Sequence, residues 1–511
     1  MKGFGAPKKH KSKRLTTAVK DTSLKELTAK AFKLQSEGNI YEASKCYKLL
    51  IDKGLQNPKI FANYGLICQQ MGQREKAIKF YKKSIDLFPN NPMVLSNMGI
   101  ILRNLGKLDE AEISQRKAIE INPNFAAAHC NLGNTLRDLG KLKQAELHTR
   151  KAIQLKPDYA IAYSNLGHIL RDLERQKEAA LIARRAVQLN PNFPDAHLLL
   201  GMILIDFKKL QEAESSIRKA IELKTDYAIA YESLAYILQD LGRLQEAETS
   251  AHKAIQLNPN ASSAYWSLSN LKSAANVSDW HKYLFSEKIM ENTNPKEQVD
   301  ILFARSNIMH KQKNYQESEN YLQLANQLKL SIYPSDFHEV IQKTKALFLE
   351  SKQQETNKQK ELIPPDSIFI VGVPRCGSTL LESIISLNND VNDLGEVKIF
   401  EEAFLEWKKL LKGDSSSSLT QLYSKKVSYS SLKSKITTNK LLYNYQYAGL
   451  ISSQLPTARI IHCHRNPLDN ILSIYRAHFT RGNRYSSSLT DCAKIYLDQD
   501  EVMTEYKKQY P

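Results

Sequence analysis

A repeat of 34 residues is the feature of this sequence that most limits how the chain can fold. Small and turn-forming residues recur at this spacing in three registers. They are glycine (Gly65, Gly99, Gly133, Gly167, Gly201), alanine (Ala43, Ala77, Ala111, Ala145, Ala179, Ala213, Ala247) and proline (Pro89, Pro123, Pro157, Pro191, Pro259). Three registers with one period indicate tandem copies of one supersecondary unit.

Each copy has the pattern of two helices. In residues 126–159, apolar side chains recur at helical spacing, Gly140 interrupts the pattern, and a second helical run ends before Pro157. Small residues in the first two registers allow the helices to approach closely. The pattern resembles the tetratricopeptide repeat in its small, aromatic and proline positions. Seven full units fill residues 24–261, and a partial eighth extends the predicted repeats to 24–273.

The repeats are expected to stack, because a lone helix pair cannot bury its apolar face. The predicted fold of this half is therefore an α-solenoid, the superhelix of tetratricopeptide repeats. Its concave groove is expected to bind a peptide or protein, with a spacer or a self-association surface as the alternative. Residues 274–350 are predicted to form a helical bridge with a further repeat-like pair at about 297–330.

Charge is unevenly distributed along the chain. The protein has 511 residues and a formal net charge of +18, and its first 20 residues contain basic side chains but no acidic ones. This predicts a disordered basic tail over residues 1–23. The tail is interpreted as a solubilising terminus, with weak contact to nucleic acid or anionic lipid as the alternative; no specific nucleic-acid partner is expected.

The sequence also bears on compartment and metal content. It has no run of 18 apolar residues, so no transmembrane segment is predicted. Its six cysteines lie far apart and form no CxxC pair, which argues against a disulfide framework or a cysteine-rich zinc site. We therefore expect a reducing compartment, the cytoplasm, and no metal.

The composition changes after residue 350. Residues 351–366 are polar and contain two adjacent prolines, which predicts a linker before a second domain at 367–511. Residues 367–373 predict a buried strand, and a helix is predicted from about Ser378. A strand, a tight glycine loop and a helix together can bind phosphate at the helix N-terminus.

The loop at residues 372–379 has the glycine spacing of a Walker A loop but lacks its lysine. Ser378 occupies the lysine position, and Arg375 supplies a cation from inside the loop. Hydrolysis of ATP or GTP needs that lysine and usually a metal-binding aspartate. The loop therefore suits a phosphate beside a transferred group, and a nucleotide-hydrolysing switch is the least favoured alternative.

A second strand-to-helix junction follows the first. Residues 458–463 predict another buried strand, and Asn466 and Pro467 suit the N-cap and first turn of a helix. Arg465 lies at the strand end, where open α/β sheets bind ligands, and Ser473 lies two turns into the helix. These two side chains can hold one phosphate between them.

Residues 367–479 resemble the sulfotransferases that use 3′-phosphoadenosine 5′-phosphosulfate (PAPS). They are most similar to the bacterial tetratricopeptide-repeat sulfotransferases and the protein-tyrosine sulfotransferase-like group. The family loop reads roughly PRSGTT, and here it reads PRCGST. The resemblance implies a P-loop-like α/β domain with a parallel sheet, in which Arg465 and Ser473 hold the 3′-phosphate. It assigns the 5′-phosphosulfate to the loop residues Arg375, Cys376, Gly377, Ser378 and Thr379.

The same resemblance implies catalytic roles for three side chains. In the tyrosine-sulfating branch a Gly-Glu pair supplies the base, and Gly395-Glu396 occupies that place. A lysine in an Asn-Lys pair stabilises the transition state, and Asn439-Lys440 matches it. Glu396 would take the proton of the acceptor hydroxyl, and Arg375 and Lys440 would offset charge on the sulfonyl and bridging oxygens.

The predicted function is PAPS-dependent transfer of a sulfuryl group to a hydroxyl. Protein tyrosine held by the solenoid fits as the acceptor, and sugar, lipid and small-molecule hydroxyls also fit Glu396. The second domain has 145 residues, and we expect it to lack a C-terminal part of the family and to expose apolar surface. The alternative function is a protein-binding scaffold with an inactive sulfotransferase domain.

Overall fold

The computed structural model describes residues 11–271, 279–354, 366–411, 417–428, 436–479 and 482–510, with side chains described from Ser23 onward. The chain divides into two compact units, residues 1–257 and 258–511. Within the described residues, the first unit contains helices alone and the second combines helices with a parallel sheet. No helix in this part of the chain is long and apolar enough to cross a membrane.

The first unit is a series of seven helix pairs. From the second pair onward, a helix of 13 residues is followed by one of 14. The helices are α1 (Lys11–Ser36), α2 (Ile40–Asp52), α3 (Pro58–Gln70), α4 (Arg74–Leu87), α5 (Pro92–Asn104), α6 (Leu108–Ile121), α7 (Ala126–Asp138), α8 (Leu142–Leu155), α9 (Ala160–Asp172), α10 (Gln176–Leu189), α11 (Pro194–Asp206), α12 (Leu210–Leu223), α13 (Ala228–Asp240) and α14 (Leu244–Leu257). This arrangement confirms the predicted solenoid.

Small residues lie where the helices of each pair meet. Every alanine of the alanine register is fully buried. A Cβ atom at Gly65 would lie 2.7 Å from the ring of Tyr81, and a Cβ atom at Gly133 would lie 2.1 Å from Oγ1 of Thr149. Contacts this short are repulsive in a close-packed interior, so glycine is what allows these helices to approach as they do.

The predicted tail over residues 1–23 differs from the structure. Helix α1 is continuous from Lys11 to Ser36, and residues 1–10 lie outside the described residues. No glycine or proline occurs between Lys11 and Ser36, so the sequence has no residue that would end the helix earlier. The boundary predicted at residue 23 therefore falls inside α1.

The second unit begins with the helices predicted as the partial eighth repeat and the bridge. They are α15 (Ser262–Asn270), α16 (Asp279–Leu284), α17 (Glu287–Glu291), α18 (Pro295–Lys311), α19 (Tyr315–Ile332) and α20 (Phe337–Gln353). Helices α18 and α19 correspond to the pair predicted at 297–330. Trp266 of α15 packs edge-to-face on Phe303 of α18. Because α15 packs on α18, the unit boundary falls at 257/258, earlier than the repeat boundary predicted at 273.

Helix α20 connects the bridge to the α/β part of the same unit. Leu347 lies in one buried cluster with Phe369 of the sheet, and the ring of Phe348 meets that of Tyr506. The helix continues to Gln353 with Ser351 fully buried, so the linker predicted from residue 351 begins too early. Its first polar residues form the last helical turn, and residues 355–365 lie outside the described residues.

A four-stranded parallel sheet organises the described residues of the α/β part. The strands are β1 (Asp366–Val371), β2 (Val391–Asp393), β3 (Ile436–Asn439) and β4 (Arg459–His462), in the order β2-β3-β1-β4. Strands β1 and β4 match the two predicted strands. Strands β2 and β3 were not predicted, because their three or four residues are mainly polar and form no apolar run.

Helices lie between the strands and after the last strand in chain order. They are α21 (Ser378–Ile385), α22 (Ile399–Leu410), α23 (Leu419–Ser428), α24 (Ala448–Gln454), α25 (Pro467–Tyr475) and α26 (Leu489–Gln509), with 3-10 helices at Leu442–Tyr447 and Arg484–Ser487. Aromatic rings fill the core, where Phe369 meets Phe400 edge-to-face at 5.8 Å. The predicted α/β fold with a parallel sheet is confirmed.

Candidate functional site

The glycine loop at residues 372–377 leads from β1 into α21. Gly377 has φ of 101° and precedes Ser378, the first residue of α21. Arg375 also has a positive φ, 69°, which is uncommon for a residue with a Cβ atom. Both residues are exposed. The loop turns sharply at these two positions and leaves the N-terminal amides of α21 near the surface, where they can meet an anion.

Contacts with the end of β4 and with α25 hold this loop in place. A Cβ atom at Gly372 would lie 2.9 Å from the carbonyl oxygen of Cys463, so β1 and β4 could not approach as they do with a larger residue there. The Nδ2 atom of Asn470, which is fully buried in α25, donates to the carbonyl of Pro374 at 3.1 Å. The loop is therefore anchored at its start and at its apex.

Arg375, Arg465 and Ser473 meet above the loop. The Nε atom of Arg375 donates to Oγ of Ser473 at 3.2 Å, and Nη1 of Arg465 donates to the carbonyl of Arg375 at 3.4 Å. Tyr496 of α26 donates its hydroxyl to the carbonyl of Arg465 at 2.8 Å. The side chain of Asn466 caps α25 by accepting from Asp469 N, as predicted. The capped turn places Arg465 and Ser473 on the same side of the sheet edge.

Lys440 occupies a second polar cluster, beside the start of α21. Its Nζ donates to Oγ1 of Thr379 at 3.1 Å and lies 3.4 Å from Oε2 of Glu382 and 3.7 Å from Oε1 of Glu396. Only 9% of the Lys440 side chain is exposed, whereas 56% of the Glu396 side chain is exposed. Lys440 therefore connects the phosphate-binding loop to a carboxylate that a substrate can reach.

The positions of Glu396 and Lys440 follow from the sheet. Strands β2 and β3 are parallel neighbours, so residues just after their carboxyl ends meet at one edge. The amide of Lys440 donates to the carbonyl of Gly395 at 2.9 Å, and Gly395 has φ of 65°. This turn brings Glu396 back towards Lys440. The lysine absent from the loop sequence is thus replaced in space by one that follows β3.

The three predicted catalytic side chains do not form one group. Glu396 and Lys440 are neighbours, but the side chain of Arg375 contacts Ser473 in the other cluster. Arg375 is therefore placed with the residues predicted to hold the 3′-phosphate.

Sequence reasoning missed Glu382 and Thr438. Glu382 is 6% exposed, and its Oε1 accepts from the hydroxyl of Thr438 at 2.9 Å while Oε2 faces Lys440. The sequence does contain a signal for Glu382. Helix α21 reads STLLESII, and Glu382 lies one turn after Ser378 on the same face of the helix. The partner Thr438 belongs to β3, which the sequence did not reveal.

Two cysteines meet beneath the loop. The thiol of Cys463, the residue after β4, interacts with the sulfur of Cys376, which also accepts from Ser378. These contacts lower the pKa of Cys376 below its ordinary value, chiefly through the hydrogen bond from Cys463, although burial opposes the shift. The same contact raises the pKa of Cys463 above its ordinary value.

The solenoid contains a cavity, and the residues that line it lie far along the sequence from the site described above. It has a volume of 540 Å³ and is lined by Phe32, Asn63, Tyr81, Met93 and Asn97, among others. Met93 is 63% exposed, so the cavity offers an apolar surface together with amide side chains. An extended chain could use both kinds of contact.

Family models match both halves of the chain. Residues 365–511 match the model described as "Sulfotransferase family". Models described as "Tetratricopeptide repeat" match residues 58–91, 80–113, 126–159, 160–193, 194–227 and 228–261. Residues 365–511 are a sulfotransferase-family domain, and residues 58–261 contain tetratricopeptide repeats. The predicted family resemblance is confirmed.

A relative of this chain aligns with only part of it. An uncharacterized protein of Aquifex aeolicus (strain VF5) is 27% identical over 237 residues, which are 41% of this chain and 30% of that relative. The chain therefore matches less than a third of that relative's length.

Two solved structures are similar to the repeats. A tetratricopeptide repeat protein from Parabacteroides merdae ATCC 43184 is 18% identical with a TM-score of 0.41, covering 46% of this chain and 94% of its own. A thermophilic tetratricopeptide repeat protein from Thermus thermophilus is 24% identical with a TM-score of 0.32, covering 33% of this chain and 92% of its own.

Two arginines of the sulfotransferase-family domain are placed where they can bind an anion. Arg375 and Arg465 are both exposed and lie next to each other. Within the described residues, no carboxylate lies within ion-pair distance of either guanidinium group. Two adjacent cations without an acidic partner repel each other and gain from a bound phosphate. No group of three or more potential metal ligands occurs in the part of the chain that the structure describes.

Proposed function

We propose that this protein is a PAPS-dependent sulfotransferase that transfers a sulfuryl group to a hydroxyl, with tyrosine on a protein substrate as the acceptor. One observation carries the proposal. Lys440 contacts Thr379 of the phosphate-binding loop and Glu396, an accessible carboxylate, at the same time. One buried cation thus contacts both the loop that can bind an anion and the carboxylate that can act as a base. Transfer from a bound donor to a hydroxyl needs these groups close together.

The cosubstrate would be held by the two clusters. Arg375, Arg465 and Ser473 would bind phosphate oxygens, and the amides at the start of α21, with Ser378 and Thr379, would bind the group next to the reacting sulfur. PAPS supplies an activated sulfuryl group when bound. Because Arg375 contacts Ser473, we assign it to phosphate binding as well as to charge stabilisation.

Glu396 and Lys440 would divide the chemistry of the transfer. Glu396 accepts the proton of the acceptor hydroxyl, since more than half of its side chain is open to solvent. Lys440 is held before the reaction by Thr379 and Glu382, so it meets developing negative charge with little reorganisation. A preorganised donor of this kind is worth roughly 3–4 kcal/mol, about 10²–10³ in rate.

The solenoid is assigned to the protein substrate. Its cavity combines exposed Met93 with Asn63 and Asn97, which suits an extended peptide with apolar and backbone contacts. Location in the cytoplasm belongs to the same proposal, because a reduced Cys376 suits that compartment.

The test is sulfate transfer from labelled PAPS to pools of tyrosine-containing peptides. We expect turnover by the full chain, a loss of about 10²–10³ in kcat for Lys440→Ala, and a comparable loss for Glu396→Gln. The exposed, ion-paired Glu406 of α22 provides a matched control, and Glu406→Gln should leave kcat unchanged. Unchanged turnover in Arg375→Ala would contradict the proposal, and binding of the nucleotide without any transfer would leave a scaffold.

A further inference from the structure

The mechanism proposed above uses neither thiol of a cysteine pair at the base of the phosphate-binding loop. Cys376 lies inside the loop, and Cys463 directly follows β4. The chain has six cysteines, and these two are the ones that the structure leaves partly exposed, whereas Cys46, Cys68, Cys130 and Cys492 are buried. A small oxidant can therefore reach both thiols of the pair.

The fold brings these two side chains together over Gly372. A Cβ atom at Gly372 would lie 3.1 Å from Sγ of Cys376 and 3.5 Å from Cβ of Cys463. The absence of that atom leaves the space in which the thiols meet. The backbone pairing of β1 and β4 holds Cys463 in place, because its amide donates to the carbonyl of Val371 at 2.8 Å.

The contacts also make the two sulfurs chemically different. Cys376 accepts from Cys463 and from Ser378 at the start of α21, which lowers its pKa and favours the thiolate. The hydrogen bond to Cys376 and burial both raise the pKa of Cys463, which favours its thiol form. A thiolate and a thiol in contact are the starting state for oxidation to a disulfide.

We propose that Cys376 and Cys463 are a peroxide-sensitive modification site whose oxidation to a disulfide disables the phosphate-binding loop. The Cys376 thiolate attacks one oxygen of hydrogen peroxide; an S–O bond forms, the O–O bond breaks and hydroxide leaves. The sulfur of Cys463 then attacks the sulfenic sulfur of Cys376, and the S–O bond breaks. Its hydroxyl leaves as water with the proton of Cys463. One thiolate, one thiol and one peroxide thus give one disulfide, one water and one hydroxide.

The disulfide would change the loop because its geometry is specific. A disulfide holds its Cβ atoms about 3.8 Å apart, and bonding to Cys463 takes the sulfur of Cys376 away from Ser378. Arg375 and Gly377 flank Cys376, so both would move with it. The consequence for anion binding rests on the proposed function, whereas the thiol chemistry does not.

The experiment uses the full-length reduced protein, treated with hydrogen peroxide after removal of reductant. We expect the intact mass to fall by two hydrogens, a cross-linked peptide containing Cys376 and Cys463, and reversal by dithiothreitol. In Cys463→Ser, Cys376 should instead gain one oxygen and react with dimedone. Cys492 is fully buried and serves as the matched control, and Cys492→Ser should still form the disulfide.

A second readout separates this inference from the proposed function. Binding of 3′-phosphoadenosine 5′-phosphate to the wild-type protein should fall at least tenfold on oxidation and recover on reduction. Persistence of both free thiols, or a disulfide between other cysteines, would overturn the inference. A Cys376–Cys463 disulfide in a protein that binds no nucleotide in either state would refute the proposed function and the effect on the loop, but would confirm the thiol pair.

Discussion

At the scale of single residues, the candidate site is organised around the buried cation of Lys440. Lys440 is positioned by Glu382, whose other oxygen is held by Thr438 of β3. Glu382 does not touch the proposed reacting atoms and acts through Lys440. Such a residue should affect the rate of transfer more than the binding of the cosubstrate, because its partner matters most when charge develops.

We predict that Glu382→Gln slows the transfer step. The substitution removes the negative charge beside Lys440 and should lower kcat about 10- to 100-fold, as expected for a hydrogen bond to a charged group. The KM for PAPS and the binding of 3′-phosphoadenosine 5′-phosphate should change little. The same substitution at Glu505, in a surface ion pair with Lys508, should leave kcat as it is. An unchanged kcat in a folded Glu382→Gln protein would contradict this role.

At the scale of elements, the solenoid depends on glycines in its helix pairs. Gly133→Ala places a methyl group 2.1 Å from Oγ1 of Thr149 and should lower the free energy of unfolding by about 1–3 kcal/mol. Thr149→Ala removes that oxygen, and the next atoms are at 3.3 Å or more. In the double variant, we therefore expect recovery of most of the lost stability. Urea unfolding of the four proteins measures the coupling, and additive losses would show that the contact is not the cause.

Another element-scale prediction concerns Lys329 of α19. Its Nζ donates to the carbonyl of Phe479 at 2.7 Å, and burial lowers its pKa to about 8, although Asp300 opposes the shift. Between pH 8 and 10.5 the unfolded chain holds a proton that the folded chain has released, so stability should rise with pH in this window. Below pH 8, Lys329 is protonated in both the folded and the unfolded chain, so its contribution to stability is constant.

The measurement is the difference in free energy of unfolding between the wild-type protein and Lys329→Met. This difference should shift in favour of the wild type by about 2–3 kcal/mol from pH 8 to pH 10.5. Subtracting the variant removes the titration of the other lysines and tyrosines. A pH-independent difference would show that Lys329 titrates normally in the folded protein.

At the scale of the whole molecule, periodic parts of the fold were predictable and contact-dependent parts were not. The solenoid followed from the 34-residue registers, and β1, α21 and Arg465 followed from apolar runs and turn residues. Strands β2 and β3 were not visible because each is short and mainly polar. The clustering of Arg375 with Ser473, and of Glu382 with Lys440, depends on how separate strands are ordered in the sheet, which no local pattern encodes.

Calorimetry with 3′-phosphoadenosine 5′-phosphate tests whether the two exposed arginines and the loop form a cosubstrate site. The full chain at near-physiological salt should bind one nucleotide saturably. Arg465→Ala should weaken binding by at least tenfold, as expected for a lost charged hydrogen bond of about 1.5–3 kcal/mol. Arg459→Ala, which removes an exposed arginine of β4, should have little effect. The absence of saturable binding, or equal affinity in Arg465→Ala, would show that these arginines and the loop do not form a cosubstrate site.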